Sequence, residues 1–171
     1  MHKLYKTILA LAAAGVMAAC TNPASLGGDD GFGDGGAAAV PVPGSVEDPT
    51  SIAYFQQAVG DRVLFEVDQS TLTAAGQATL DGQAAWLASN PDYTAIVEGH
   101  ADEQGTREYN LALGARRADA ARSYLVSKGI AASRLRVVSY GKERPIEVCS
   151  DEACYAQNRR AVTVLAGGLT G

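Results

Sequence analysis

The sequence predicts an α+β fold, a two-layer sandwich in which two main helices pack on a mixed four-stranded sheet. Two observations favour it. Four short runs rich in apolar and β-branched residues are separated by long segments with helical periodicity, and their order along the chain is βαβαβ(α)β. The chain has 171 residues, 47% of them hydrophobic, which is enough for one domain with a core.

The first half of the predicted domain holds two strands and a helix. Residues 62–67 form an apolar strand, residues 72–90 a helix that Pro91 ends, and residues 93–98 a second strand that ends at Gly99. Two threonines are candidate N-caps of this helix, Thr71 and Thr73. The predicted core face of the helix carries four apolar residues, Leu72, Leu80, Ala84 and Leu87.

The longest helix is predicted over residues 107–128. Thr106 precedes it and is a residue type preferred at N-caps, Glu108 suits the positive end of the helix dipole, and Gly129 is a typical C-terminal stop. At about 100° per residue, one arc forms the predicted core face. Its members are Leu111, Gly114, Ala118, Ala121 and Leu125.

The predicted ligand site is the stretch of residues 99–117, in which an acidic, Gly-containing loop runs into this helix. It offers the carboxylate of Asp102 beside the free N–H groups of a helix N-terminus, which attract negatively charged groups. Arg117 lies on the edge of the apolar arc, and helical side chains lean toward the helix N-terminus. We therefore expect its guanidinium to point back at the Asp102 loop, whereas Arg116 points away.

The rest of the domain supplies two more strands. Residues 135–140 form the third strand, residues 141–145 turn away from it, residues 151–158 form a short helix, and residues 160–165 form the last strand. The result is a sheet of four strands, one face of which the two main helices can cover.

The first 19 residues have the features of an export signal. Lys3 and Lys6 form a basic n-region, and residues 7–19 are an apolar stretch too short to cross a bilayer of about 30 Å as a helix. Small residues precede Cys20, as in the lipobox of bacterial lipoproteins, so Cys20 is the predicted lipidation site. The alternative is an ordinary signal peptide cut near Ala19, with no role for Cys20.

Residues 20–50 are predicted to be the lipidated cysteine and a flexible linker, and residues 51–171 the folded domain. The linker is rich in Gly and Pro, and residues 21–49 carry five acidic and no basic residues. Such a chain buries little and spans about 30 Å as a root-mean-square distance. It suits a domain that is held away from a membrane surface.

Cys149 and Cys154 remain as a pair if Cys20 carries lipid. An exported protein meets an oxidising compartment, so we expect a Cys149–Cys154 disulfide that closes a small loop and contributes about 2 kcal/mol. A metal pair is the alternative, but a second pair of soft ligands at suitable spacing is missing from the sequence.

Charge and motifs argue against several classes of function. The formal charge of −5 includes no basic stripe, so nucleic acid is not an expected partner. The sequence has neither a Gly-x-Ser-x-Gly elbow nor a phosphate-binding loop with Lys, and we expect no enzyme activity, cofactor or metal. The alternative is an enzyme that uses His100, Asp102 and Glu103. We expect His100 instead to pack or form hydrogen bonds at the strand end.

Several separated motifs together resemble the OmpA-like peptidoglycan-binding domain family, over about residues 62–165. The matching residues are Gly99-His100-Ala101-Asp102, Gly105-Thr106, Tyr109-Asn110, Leu113, Arg117-Ala118, Tyr124-Leu125, Gly129, Ser139-Tyr140-Gly141 and Asn158-Arg159-Arg160. The resemblance implies a domain that binds, without catalysis, the diaminopimelate-containing stem peptide of peptidoglycan. The lipobox, the linker and Lys142-Glu143-Arg144-Pro145 are similar to those of lipid-anchored members.

The resemblance also implies the binding residues, which are Asp102, Arg117, Gly105, Thr106, Asn110 and Asp68. The family's binding aspartate falls on Asp102 and suits the ammonium of diaminopimelate, and its binding arginine falls on Arg117 and suits the carboxylate. N–H groups at the helix start assist the carboxylate. Asn110 holds the loop or the ligand. Asp68 matches an aspartate at the rim of the site, and Val67 stands where the family commonly has Phe.

The implied partners are peptidoglycan, the outer membrane that the lipid enters, and Tol envelope proteins of the TolB-like and TolA-like kinds. Thr21 is not the Asp associated with inner-membrane retention, so we expect the outer membrane, with the domain facing the periplasm. Two alternatives stay open. One is an internal Asp102–Arg117 ion pair that only stabilises a loop, and the other is a peptidoglycan-modifying enzyme.

Overall fold

The computed structural model describes residues 40–148 and 150–167. The predicted signal peptide, Cys20, most of the predicted linker and Cys149 lie outside the described residues. The described residues belong to one compact unit, which begins at Ala39. Within them, no helix has the length and the apolar character needed to cross a bilayer.

Helices and strands alternate along the described chain. In order they are α1 (Ile52–Tyr54), which continues as a π-helical turn (Phe55–Gly60), β1 (Arg62–Leu64), α2 (Ala74–Ser89), β2 (Tyr93–His100), α3 (Arg107–Ser127), a 3-10 turn (Ala132–Arg134), β3 (Leu135–Gly141), α4 (Glu152–Asn158) and β4 (Arg160–Gly167). The sheet order is β1-β4-β2-β3. β2 and β3 are parallel, and the other pairs are antiparallel. The predicted α+β sandwich with a mixed four-stranded sheet is confirmed.

The core lies between one face of the sheet and the two long helices. Val97 of β2 and Ala161 of β4 are buried from the sheet side, and Leu80 of α2 and Leu125 of α3 are buried from the helix side. Burial alternates along β2, as expected when only one face of a sheet is covered. The loops at the carboxyl end of β2 are thereby held over the N-terminus of α3.

Helix α2 begins two residues later than predicted. Thr73 is its N-cap, and the Thr73 hydroxyl accepts a hydrogen bond from the N–H group of Gly76 at 3.0 Å. Leu80 and Leu87 of the predicted core face are buried, and Leu72 packs on the core from outside the helix. The choice of Thr73 over Thr71 follows from which side chain can reach a free N–H group.

Helix α3 has the predicted N-cap, Thr106, and buries four of the five residues of its predicted core face, which are Gly114, Ala118, Ala121 and Leu125. The fifth, Leu111, is 44% exposed. Asn110, Leu113 and Arg117 are buried as well, so the buried face is wider than predicted. The prediction ranked residues by hydrophobicity and therefore left out Asn110 and Arg117, polar side chains that can be buried where they find hydrogen-bond partners.

Strand β1 ends three residues earlier than predicted. The chain turns after it, and Asp68 adopts the left-handed backbone conformation with φ of 57°. The carbonyls of Glu66 and Gln69 accept hydrogen bonds from Arg117 at 3.1 and 2.7 Å. These two carbonyls accept hydrogen bonds from the Arg117 side chain rather than from a neighbouring strand, so the backbone hydrogen-bond ladder of β1 ends before them.

The helical segment before β1 was not predicted. Ser51 caps it, and Phe55 is fully buried with its ring 4.9 Å from that of Trp86. The indole N–H of Trp86 donates to the Pro49 carbonyl at 2.7 Å. The last residues of the predicted linker are therefore hydrogen-bonded to the domain, while the boundary at residue 50 stays a prediction.

Candidate functional site

A cavity of about 280 Å³ opens at the predicted loop, beside the turn that follows β1. Four of the six predicted binding residues line it, namely Asp68, Asp102, Gly105 and Asn110. The other lining residues are Val67, Gln104, Tyr109 and Leu113. The remaining two predicted residues, Thr106 and Arg117, are not among the lining residues. The fold thus brings together carboxylates from two loops that are far apart in sequence.

Asp102 lies at the inner side of this cavity and is 9% exposed. Its Oδ2 forms an ion pair with Nη1 of Arg159 at 3.2 Å, and its Oδ1 accepts a hydrogen bond from the N–H group of Gln104 at 3.1 Å. Its ion-pair partner is therefore Arg159, not Arg117, and the internal Asp102–Arg117 pair considered from the sequence does not form.

Arg117 is fully buried beneath the loop, and its guanidinium points back toward the end of β2 that precedes Asp102, the direction expected from the sequence. Its guanidinium donates to the carbonyls of Gln69 at 2.7 Å, His100 at 2.9 Å and Glu66 at 3.1 Å. Burial lowers the pKa of Arg117 to about 10, an effect that the charge of Asp102 opposes, and the side chain stays protonated at neutral pH. Arg117 thus ties the turn after β1 to the end of β2, rather than facing the cavity.

Asp68 and Tyr109 form the outer wall of the cavity. The Tyr109 hydroxyl donates a hydrogen bond to Oδ1 of Asp68, and this bond raises the pKa of Tyr109. Val67 lines the cavity and is 54% exposed. The aromatic ring in the lining therefore comes from Tyr109 on α3, and not from residue 67.

The loop between β2 and α3 is held by side chains around it. Asn110 is buried and donates to the Gln104 carbonyl at 2.7 Å, so in this structure it holds the loop. Lys142 donates to the carbonyl of Gly105 at 2.7 Å. Gly105 has φ of 91°, a conformation that favours glycine. The hydroxyl of Thr106 caps α3, and the loop is therefore fixed in position before any ligand arrives.

Arg159 also belongs to this site, a role that was not predicted from the sequence. It is 3% exposed and donates to Asp102, to Glu152 and, at 3.2 Å, to the Phe65 carbonyl. Burial opposes its charge, but its hydrogen bonds to Glu152 and Asp102 prevail and raise its pKa. Glu152 lies in the first turn of the short predicted helix 151–158, and Arg159 directly follows its end. A spacing of seven residues is two helical turns, so the pair could have been predicted to lie on one side of the helix.

His100 packs behind the site, on the sheet face opposite the two long helices. It is 2% exposed, and its ring centre is 5.5 Å from that of Tyr140. Neither ring nitrogen has a hydrogen-bond partner among the described residues, although Nε2 lies 3.7 Å from Oε2 of Glu98. Burial, followed by the charges of Arg160 and Arg144, lowers the pKa of His100 to about 4. His100 is therefore neutral and packs, rather than forming hydrogen bonds.

We expect His100 to make the free energy of unfolding fall by about 2 kcal/mol between pH 7 and pH 5. The unfolded chain protonates His100 near its ordinary pKa of 6.5, whereas the folded chain keeps it neutral down to about 4. Acid therefore favours the unfolded state in this range. Urea unfolding at the two pH values measures the difference, and the His100→Gln chain should show a flatter dependence. The same slope in both chains would contradict the prediction.

Across residues 40–148 and 150–167, no group of three or more His, Cys, Asp or Glu side chains is arranged to hold a metal ion. Cys154 is disulfide-bonded. Its predicted partner, Cys149, lies outside the described residues, so the pairing stays a prediction.

Comparisons with known proteins agree with this fold. A model of the OmpA family matches residues 64–159. The peptidoglycan-associated lipoprotein of Rhizobium meliloti is 52% identical over 161 residues, which cover 94% of this chain and 87% of the relative. That of Haemophilus influenzae is 40% identical over 162 residues, covering 95% and 98%.

A solved structure gives the same result. The crystal structure of the peptidoglycan-associated lipoprotein from Burkholderia pseudomallei superimposes with a TM-score of 0.63 at 39% identity. The match covers 71% of this chain and 98% of that one. The family match includes the cavity, α3 and Arg159, and the full-length relatives match most of the chain. The chain therefore belongs to the OmpA family, as a relative of the peptidoglycan-associated lipoproteins.

Proposed function

We propose that this chain is an outer-membrane lipoprotein that binds the diaminopimelate-containing stem peptide of peptidoglycan non-covalently. The names of its relatives point to peptidoglycan and to a lipid anchor. The observation that carries the proposal is the cavity itself, in which Asp68 and Asp102 lie beside the N-terminus of α3. A cavity with carboxylates on one side and free N–H groups on the other suits a zwitterion.

The free end of diaminopimelate carries an ammonium and a carboxylate. In the proposed complex the ammonium binds Asp102, with Asp68 at the rim. The carboxylate binds N–H groups at the start of α3, next to the lining residue Gly105, where the helix dipole is positive. Arg117 supplies positive charge from beneath the loop and holds its geometry, since its N–H groups already donate to three carbonyls. Asn110 keeps the loop in place.

The finer parts of the proposal rest on the sequence. Cys20 carries the lipid, residues 21–50 are the tether, and Cys149 pairs with Cys154. The domain faces the periplasm and joins the outer membrane to the cell wall. The TolB-like and TolA-like envelope proteins are the proposed protein partners, in a system that maintains the envelope during cell division.

Replacing Asp102 by Asn should weaken binding to purified sacculi by about 2 kcal/mol, because the ammonium of the ligand loses its charged partner. Co-sedimentation of the purified chain with sacculi over a concentration series measures the effect. Asp92→Asn is the matched control, since Asp92 is exposed and precedes β2 at the end far from the cavity. Equal affinity of the two variants, with both chains folded, would refute the assignment.

The same sacculi separate binding from catalysis. A binding domain sediments with the wall and releases no fragments, whereas a peptidoglycan-modifying enzyme releases soluble fragments with time. Chromatography of the supernatant distinguishes the two. The homologous proteins belong to a binding family rather than to a family of enzymes, and a binding domain is the function we favour.

A further inference from the structure

The side chain of Arg159 lies between two carboxylates, Asp102 on the cavity side and Glu152 on α4. Nη1 contacts Oδ2 of Asp102 at 3.2 Å, and Nη2 contacts Oε1 of Glu152. The Arg159 side chain is 4% exposed, and the Glu152 side chain is 66% exposed. This group of three side chains, the Asp102–Arg159–Glu152 row, runs from the cavity to the surface.

The charge of this row depends on its outermost member. Asp102 and Arg159 alone form a neutral pair, which would attract an incoming ammonium weakly. Glu152 adds a second negative charge, so that the row carries one net negative charge. Because Glu152 hydrogen-bonds the far side of the Arg159 guanidinium, the positive charge of Arg159 is balanced from behind. The negative charge of Asp102 is then not cancelled by Arg159 alone, and it attracts a cation in the cavity.

The other charged side chains of the site do not give the cavity a net negative charge. Asp68 and the buried Arg117 lie within electrostatic reach of each other, and Arg117 also interacts with Asp102 and Arg159. Asp68 and Arg117 carry opposite charges and balance as a pair. Glu103 and Lys142 do the same on the loop before α3, where Lys142 donates to the carbonyls of Glu103 and Gly105. Among these side chains and the row, the unbalanced negative charge is therefore the one that Glu152 contributes, although Glu152 itself is not among the lining residues.

From this arrangement we infer that Glu152 is a positioning residue that sets the preference of the cavity for a ligand with a free ammonium group. The inference rests on the proposed function, and it adds a residue outside the cavity that tunes specificity through Arg159. The effect on affinity is electrostatic and acts across Arg159. It therefore distinguishes a charged amine from a neutral amide at the same position.

The test compares two ligands on the full-length chain. One is a diaminopimelate-containing muropeptide with its free amine, and the other is the same muropeptide with that amine acetylated. Glu152→Gln should lower affinity for the free-amine ligand about three- to tenfold, as expected for one charge removed at a distance of several Å beyond a partner. Affinity for the acetylated ligand should change little. Isothermal titration calorimetry measures both.

Three further measurements test whether the effect of Glu152 is electrostatic. Glu152→Asp, which retains the charge, should recover part of the preference. Asp92→Asn changes the net charge by the same amount far from the row, and should leave both affinities unchanged. Because Glu152 is exposed, the difference between wild type and Glu152→Gln should shrink at high ionic strength.

The outcomes separate this inference from the proposed function. A Glu152→Gln chain that loses affinity equally for both ligands has a structural defect in α4, and the inference is overturned. A variant that discriminates as well as wild type overturns it too, while the proposed function stands. A wild-type chain that binds neither ligand overturns the proposed function and this inference with it.

Discussion

Replacing Arg117 by Ala is expected to lower the free energy of unfolding by about 3–5 kcal/mol. The side chain is fully buried and donates to three backbone carbonyls, of Glu66, Gln69 and His100. Its removal leaves these oxygens without donors inside the protein. It also removes the contact of the guanidinium with the Phe65 ring, whose centre is 5.4 Å away. Chemical denaturation measures the change.

Arg116 is the matched control for this experiment. It is the same residue type at the preceding position of α3, but it is exposed, and its guanidinium carbon lies 6.0 Å from the ring centre of Tyr109. Arg116→Ala should change stability by less than about 0.5 kcal/mol. Arg117→Lys should restore part of the loss, because an ammonium retains the charge but cannot reach three carbonyls as a planar fork does. Similar denaturation midpoints for Arg116→Ala and Arg117→Ala would show that the buried bonds contribute little.

The stability result changes how a binding experiment on Arg117 is interpreted. A loss of sacculus binding in Arg117→Ala would follow from a displaced loop as readily as from a lost ligand contact. Asp102 is the better residue for testing ligand binding, because its removal leaves the three carbonyl bonds of Arg117 in place. Sacculus binding by Arg117→Lys, compared with wild type at equal folded fraction, shows how much the positive charge at this position contributes to binding.

Gly99→Ala is expected to cost about 3 kcal/mol or more. A Cβ at this position would lie 1.8 Å from the carbonyl oxygen of Gly114 and 2.5 Å from its carbonyl carbon. Both atoms belong to the backbone of α3, so a rotamer change cannot relieve the clash. The helix would have to move away from β2, and this movement would pull Arg117, one turn further along α3, from the His100 carbonyl. Urea unfolding measures the loss.

Gly82→Ala is the control for the glycine experiment. Gly82 is exposed in the interior of α2, and an added Cβ would find its nearest neighbour, a methyl carbon of Val59, at an ordinary 3.5 Å. Because Ala is a better helix former than Gly, this change should stabilise the chain by about 0.5–1 kcal/mol. The two substitutions are chemically identical and should differ in sign. A loss of stability in both would mean that the close approach of β2 and α3 is not the cause.

Local patterns were sufficient to predict most elements of this fold. The N-cap Thr106, the limits of α2 and α3 to within two residues, and the four strands all follow from periodicity and capping, which involve neighbours in sequence. The helical segment at Ile52–Gly60 was not predicted. Its burial depends on Phe55 meeting Trp86 of α2, a contact between residues about 30 positions apart.

The sequence by itself also located the candidate site. An acidic loop followed by a helix N-terminus predicts a ligand site from local chemistry, and four of the six residues that the family resemblance implies line one cavity. What only the tertiary structure decided is which charges meet there. Asp102 and Arg159 are 57 residues apart, and the carbonyls that Arg117 bonds lie 17 to 51 residues before it. A buried ionic group takes whichever partners the packed backbone places around it, and no periodicity in the sequence encodes that choice.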